Sequence, residues 1–177
     1  IHTILETYKK NLYFKIMILV ISINVIIFAF IKLYILSSFK EKLIKQVPKS
    51  AVETAYSIIE SVSKDYQDRK LSEQESQKEV VKIINQLRLE DGSYFWIHDL
   101  NVKMINHPIK PQLNNTDLNG IKTPDGHAMF VEMNEVIKNN NGSGWYNYVW
   151  PKPNETANKE KTSYIKLYKN WGWVIGS

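Results

Sequence analysis

The spacing of apolar residues changes along the chain, and each spacing predicts a different element. From Ile16 to Ile31 the positions read IMILVISINVIIFAFI, with no charge, Gly or Pro. Lys15 and Lys32 bracket this run, and Leu33-Tyr34-Ile35-Leu36 extends it. A lysine at a helix end can snorkel, so the usable apolar length runs from about Leu12 to Leu36. That satisfies the roughly 20 residues a bilayer-crossing helix needs. Tyr8, Tyr13 and Tyr34 suit the interfacial belt. A cleaved leader is the competing reading, but the run ends in LYILSSFKEKL, without a clear small-residue cleavage site. Residues 1–36 are therefore expected to form a cytoplasmic N-terminus and one transmembrane helix. Lys9, Lys10 and Lys15 favour that orientation, and Lys40, Lys42 and Lys45 oppose it.

Beyond the run the period becomes helical. Phe39, Leu43, Val47, Ala51, Ala55, Ile58/Ile59, Val62 and Tyr66 recur every three or four residues, giving one apolar stripe. Pro48 should bend or break this helix, and residues 65–70 read as a polar connection. Ser72 with Glu75 is a capping box opening a second helix, whose buried face is Val80, Val81, Ile83, Ile84 and Leu87. After the Asp91-Gly92 turn the period falls to two. Strands are expected at Tyr94–His98, Lys103–Asn106, Gly144–Trp150, Lys161–Leu167 and Trp173–Gly176. A polar loop runs from Ile109 to Lys122, and another spans 151–158. Between the second and third strands lies a short helix, with Thr123 as N-cap, Pro124 at its first position and Gly142 as its left-handed stop. The fold class is α+β: a PAS-like five-stranded antiparallel sheet, one face covered by a long N-terminal helix, preceded by one transmembrane helix. The domain boundaries are 1–36 for the membrane part and 37–177 for the domain behind it.

Charge changes this picture little. The net charge is +5, but residues 1–36 contribute +3 of it. No helix carries a basic stripe and no zinc-finger or single-strand-binding motif occurs, so nucleic acid is not an expected partner. Cysteine is absent, which excludes disulfides, thiolate metal sites and a cysteine nucleophile. Nucleophile elbow, phosphate loop, dinucleotide fingerprint and H-E-x-x-H are all missing, so an enzyme, a metal site and a bound cofactor are not expected.

The candidate chemistry lies among the aromatics. All five Trp fall between residues 96 and 173. In Trp145–Trp150, alternation puts Tyr146, Tyr148 and Trp150 on one face. Each could be plain core, but buried Tyr and Trp need partners for their polar atoms. His107 stands where Pro108 ends a strand. Lys161 and Lys166 fall in Lys161-Thr162-Ser163-Tyr164-Ile165-Lys166. Each alone reads as structural or solvated. Together, Lys, Tyr, Ser, His and Trp are the donors a small carboxylate requires.

In order, Tyr94-Phe95-Trp96-Ile97-His98-Asp99, Met104-Ile105-Asn106-His107-Pro108, Asp117-Leu118, the Gly144–Pro153 block, Lys161-Thr162-Ser163-Tyr164-Ile165-Lys166 and Trp171-Gly172-Trp173-Val174-Ile175-Gly176 form a series. It resembles the single Cache domain of bacterial transmembrane receptors such as methyl-accepting chemotaxis proteins, over about residues 37–177. The resemblance implies a periplasmic sensor of a small organic acid (acetate, propionate, pyruvate or lactate) held in the bacterial inner membrane. It implies ligand-binding roles for Trp96, His107, Tyr148, Trp150, Lys161, Ser163 and Tyr164. Lys161 would neutralise charge, His107, Tyr148 and Tyr164 would hydrogen-bond, and Trp96 and Trp150 would wall the pocket. His98 departs from the family, which often has Asn there. The chain stops where the family continues into a second membrane span, so the output module is expected outside this sequence. A homodimer signalling through the N-terminal helix follows from that architecture. The alternatives are the sensor of a histidine kinase or cyclic-di-nucleotide enzyme, or a membrane-anchored interaction module with no ligand.

Overall fold

The computed structural model describes residues 2–151 and 157–177, and the side-chain surroundings from Lys10 onward. The chain separates into two compact units, Ile1–Leu43 and Ile44–Ser177. Helix α1 (His2–Asp68) supplies the first unit and the first element of the second.

In the first unit every side chain from Lys10 onward is exposed. Its polar residues bond inside the helix: Ser22 Oγ donates to the Ile18 carbonyl at 2.8 Å and Asn24 Nδ2 to that of Val20 at 2.7 Å. That internal pairing is what hydrocarbon surroundings demand of a polar group. Among the described residues, α1 is the one helix long and apolar enough to cross a membrane.

The second unit is a single sheet with helices on both faces. Its strands are β1 (Trp96–Asp99), β2 (Met104–Asn106), β3 (Ser143–Pro151), β4 (Asn158–Tyr168) and β5 (Trp173–Gly176). They are antiparallel neighbours in the order β2-β1-β5-β4-β3. Helix α2 (Glu73–Gln86) and α3 (Met129–Asn139) complete it.

Period-two alternation along β1 divides the core. Phe95 and Ile97 join Val52, Ala55 and Ile59 of α1, Val80 and Ile84 of α2, and Tyr164, Trp173 and Ile175 of the sheet. Tyr94 and Trp96 face the other way, with Met104, Leu118, Tyr148, Ile165, Val174 and the α3 face Met129, Phe130, Met133 and Ile137. On α1, Val52, Ala55 and Ile59 are buried and Ile58, Val62 and Tyr66 are partly buried, whereas Val47 is exposed.

Several local expectations are corrected. The helix carries through Pro48 and reaches Asp68. It stops in a Schellman motif, with Lys70 left-handed (φ 58) and the Leu71 N–H donating to the Tyr66 carbonyl at 2.9 Å. Thr123 caps no helix. Thr123-Pro124-Asp125-Gly126 is a β-turn, closed by the Gly126 N–H on the Thr123 carbonyl at 2.8 Å with Gly126 at φ 93. Pro at the second turn position, followed by Asp-Gly, favours that outcome over a helix start. Helix α3 begins at Met129, and Ala128 supplies no side-chain cap. At its far end the left-handed stop spans two residues, Asn141 (φ 55) and the expected Gly142 (φ 90), and the Gly142 N–H reaches the Ile137 carbonyl. The capping box at Ser72 and Glu75 forms as expected. The 109–122 segment contains a short 3-10 turn (Pro111–Leu113) and then lies along β2. There the Met104 N–H donates to Thr116 and the Leu118 N–H to Val102. This covers a sheet edge that would otherwise be open. Most of the expected 151–158 loop, residues 152–156, lies outside the described residues.

Candidate functional site

A nearly filled cavity of about 10 Å³ lies between the sheet and α3. It is lined by Tyr94, Trp96, His107, Met129, Phe130, Met133, Tyr148 and Trp150. β1 and the residues before it supply the first pair, β3 supplies Tyr148 and Trp150, and one face of α3 closes it with Met and Phe. The β1–β2 register shifts between Ile97 and His98, which leaves Ile105 of β2 as an extra, bulged residue two positions before His107. Bulges re-aim the side chains that follow them. Here the imidazole lies 5.1 Å from the Tyr94 ring.

Four of the seven predicted site residues therefore share one cavity: Trp96, His107, Tyr148 and Trp150. Two more flank it. Lys161 stands opposite Tyr148 in the β3–β4 register, its Nζ 5.3 Å from the Tyr94 ring centre and 5.8 Å from that of Tyr148. Ser163 Oγ and the Tyr148 hydroxyl are hydrogen-bonded at 3.2 Å. Tyr164 is the exception. It pairs with Trp145 in the register and packs on that ring at 5.0 Å, on the sheet face covered by α1 and α2. Consecutive residues of a strand face opposite ways, so Ser163 and Tyr164 cannot both serve one cavity.

The electrostatics suit an anion. The Lys110 backbone N–H donates to His107 Nδ1 at 3.1 Å. That bond requires Nδ1 bare and leaves the proton on Nε2 as a donor. Burial, with Lys110 and then Lys161 nearby, pulls the imidazole down to about 4, so it is neutral at pH 7. Burial raises the Tyr94 hydroxyl to about 12 and pushes Tyr148 higher still, keeping both phenols protonated. Lys110 Nζ sits 3.9 Å over the Trp150 ring, and burial lowers its pKa. Lys110 was not expected here, because a loop lysine carries no sequence signal for a partner forty residues away. Tyr94, Met129, Phe130 and Met133 were readable only as strand and helix core. Among the described residues no group of three or more His, Cys, Asp or Glu is placed to hold a metal ion.

Trp96 lies over its cross-strand neighbour Gly176. A Cβ there would stand 2.4 Å from Trp96 Cζ2 and 2.6 Å from Cη2. The ring is rigid, so Gly176→Ala should cost about 1–3 kcal/mol, the range for overpacking. Thermal unfolding should show a Tm lower by roughly 5–10 °C. An unchanged Tm would mean the indole does not lie on that glycine.

Comparison with known proteins places this geometry among sensors. The methyl-accepting chemotaxis protein McpP of Pseudomonas putida is 45% identical over 107 residues, which is 60% of this chain and 20% of that protein. The sensor histidine kinase MctS of Rhizobium johnstonii is 20% identical over 142 residues, 80% of this chain and 30% of that protein. The chain thus spans a fifth to a third of the length of these relatives. A solved Cache chemosensory domain, studied for carboxylic acid recognition, is 36% identical with a TM-score of 0.70, covering 82% of this chain and 93% of that one. The periplasmic sensor domain of a chemotaxis protein is 34% identical with a TM-score of 0.70, covering 73% and 90%. With the family model of single Cache domain 2 matching residues 41–177, the chain belongs to the single Cache domain family.

Proposed function

We propose that residues 37–177 are the extracytoplasmic sensor of a membrane chemoreceptor and bind a small monocarboxylate of two to four carbons. The observation that carries this reading is the convergence of neutral donors and a cation on one small apolar cavity. His107 offers Nε2–H, the Tyr94 and Tyr148 hydroxyls stay protonated, and Lys161 stands behind both tyrosine rings. A carboxylate accepts such bonds, and charge-assisted ones are about twice as strong as neutral ones. The Met and Phe face of α3 meets the short alkyl tail. The free space between these walls is only about 10 Å³, so an acid enters by displacing lining side chains, and a short tail needs the smaller displacement.

The 45% identity to a chemotaxis receptor favours that output over a kinase. In this reading α1 anchors the domain in the bacterial inner membrane, the sensor stands in the periplasm, and a homodimer passes the signal through α1. Ligand moves the receptor only by binding its two states unequally.

Calorimetry of the full chain in detergent micelles tests the reading, titrating acetate, propionate, pyruvate, lactate and hexanoate. Short acids should bind with 1:1 stoichiometry, and hexanoate at least tenfold more weakly. Absence of binding by every short acid, with the aromatic circular dichroism intact, would refute it.

A further inference from the structure

His98 is fully buried and does not line the cavity, yet it touches two residues that do. The Trp96 indole Nε1 donates to His98 Nδ1 at 3.3 Å. The edge of Phe130 meets the imidazole at 5.2 Å between ring centres. On its other side His98 Nε2 lies 3.1 Å from Asn134 Oδ1, and Asn134 Nδ2 donates to the Asp99 carbonyl at 3.1 Å.

Each link in this chain has one permitted direction. The Asp99 carbonyl only accepts, which fixes the Asn134 amide with Oδ1 toward the imidazole. Oδ1 only accepts, so the His98 proton is on Nε2. Nδ1 is then bare and accepts from the indole, which can only donate. Burial holds the imidazole neutral, consistent with that tautomer. A network whose members are all satisfied fixes one geometry. The far side of the same indole is set by Gly176, where no side chain could fit.

The consequence reaches the cavity. Trp96 has one polar atom, and that atom is spent on His98. The wall it presents is therefore apolar, and a ligand hydroxyl pressed on it would find no donor. Leaving a polar group unpaired in a buried site is how a pocket rejects an analogue that differs only by that group.

We propose that His98 is a positioning residue for ligand selection: by fixing the Trp96 indole and consuming its N–H, it makes this domain prefer an alkyl acid over the 2-hydroxy acid of the same length. The proposal rests on the carboxylate reading above, and it concerns which acid is favoured.

The test uses the full chain in detergent micelles, with indole-15N tryptophan and a Trp96→Phe variant to assign the Trp96 signal. His98→Phe removes the acceptor while retaining an aromatic ring. His98→Gln restores an acceptor and a donor. In His98→Phe the Trp96 indole proton should shift upfield, and the preference for propionate over lactate should narrow by about fivefold or more, the scale of one hydrogen bond. His98→Gln should recover both. In a Trp96→Phe background, changing His98 should leave the preference where it stands. An unmoved indole signal in His98→Phe, or a moved signal with an unchanged preference, would overturn the proposal. If the wild-type chain binds no short acid, the carboxylate reading fails by that result. The indole signal then still decides whether His98 holds Trp96.

Discussion

The sensor unit is expected to lose stability steeply between pH 6.5 and pH 4, and two buried histidines are the reason. His98 and His107 both titrate near 4 in the folded chain, against an ordinary value of 6.5. Burial is the leading cause for each. Asn134 opposes it slightly at His98, and Lys110 and Lys161 add to it at His107. The sign follows from which state takes up protons first. Above pH 6.5 both states hold neutral imidazoles, and nothing is lost. As the pH falls through 6.5 the unfolded chain protonates and the folded one does not, so unfolding becomes more favourable. The loss stops below about pH 4, where the folded imidazoles also protonate. Each depressed pKa is worth about 3 kcal/mol at most, a large fraction of a typical domain stability of 5–15 kcal/mol. Denaturant unfolding followed by tryptophan fluorescence reports on this unit alone, since all five Trp lie between residues 96 and 173. The midpoint should fall from pH 7 to pH 4.5. His98→Gln, which cannot titrate, should flatten that dependence by about half. A flat profile in the wild-type chain would show that these imidazoles are not held neutral by burial.

Both histidines also mark how far the chain could be read without coordinates. The alternation at Trp145–Trp150 placed Tyr146, Tyr148 and Trp150 on one sheet face, because side-chain direction in a strand is set by period two and needs no long-range knowledge; Trp96 joined them only through the family resemblance. The same rule separates Ser163 from Tyr164, and the family pattern that joined them obscured it. Signals at helix ends were reliable where the chemistry was local, as in the Ser72–Glu75 box. They failed at Thr123, where the same residues also spell a turn. What stayed invisible were contacts between segments far apart in the chain. Lys110 on Trp150 and His98 on Asn134 follow from strand order and from how α3 lies on the sheet, which no local pattern encodes. His98 stood out in the sequence only as a departure from the family, and its partners give that departure a physical meaning.

Removing the charge of Lys161 should have the largest effect on ligand binding. Lys161→Met keeps the length and bulk of the stem, which packs beside Tyr94 and Tyr148, and deletes only the ammonium. A hydrogen bond to a charged group contributes about 1.5–3 kcal/mol, so affinity for propionate at pH 7.5 should fall by roughly 10- to 100-fold. Lys161→Arg, which retains charge, should fall less. The substitution has a second consequence through His107. Burial is the main cause that holds this imidazole below its ordinary value, with Lys110 and then Lys161 adding to it, so the variant's His107 should titrate slightly higher than in the wild type. Calorimetry at pH 7.5, with imidazole resonances followed by NMR, separates these effects. Wild-type affinity in Lys161→Met would remove the ammonium from the site. A loss of affinity with an unmoved His107 titration would leave Lys161 as a ligand contact and refute its coupling to His107.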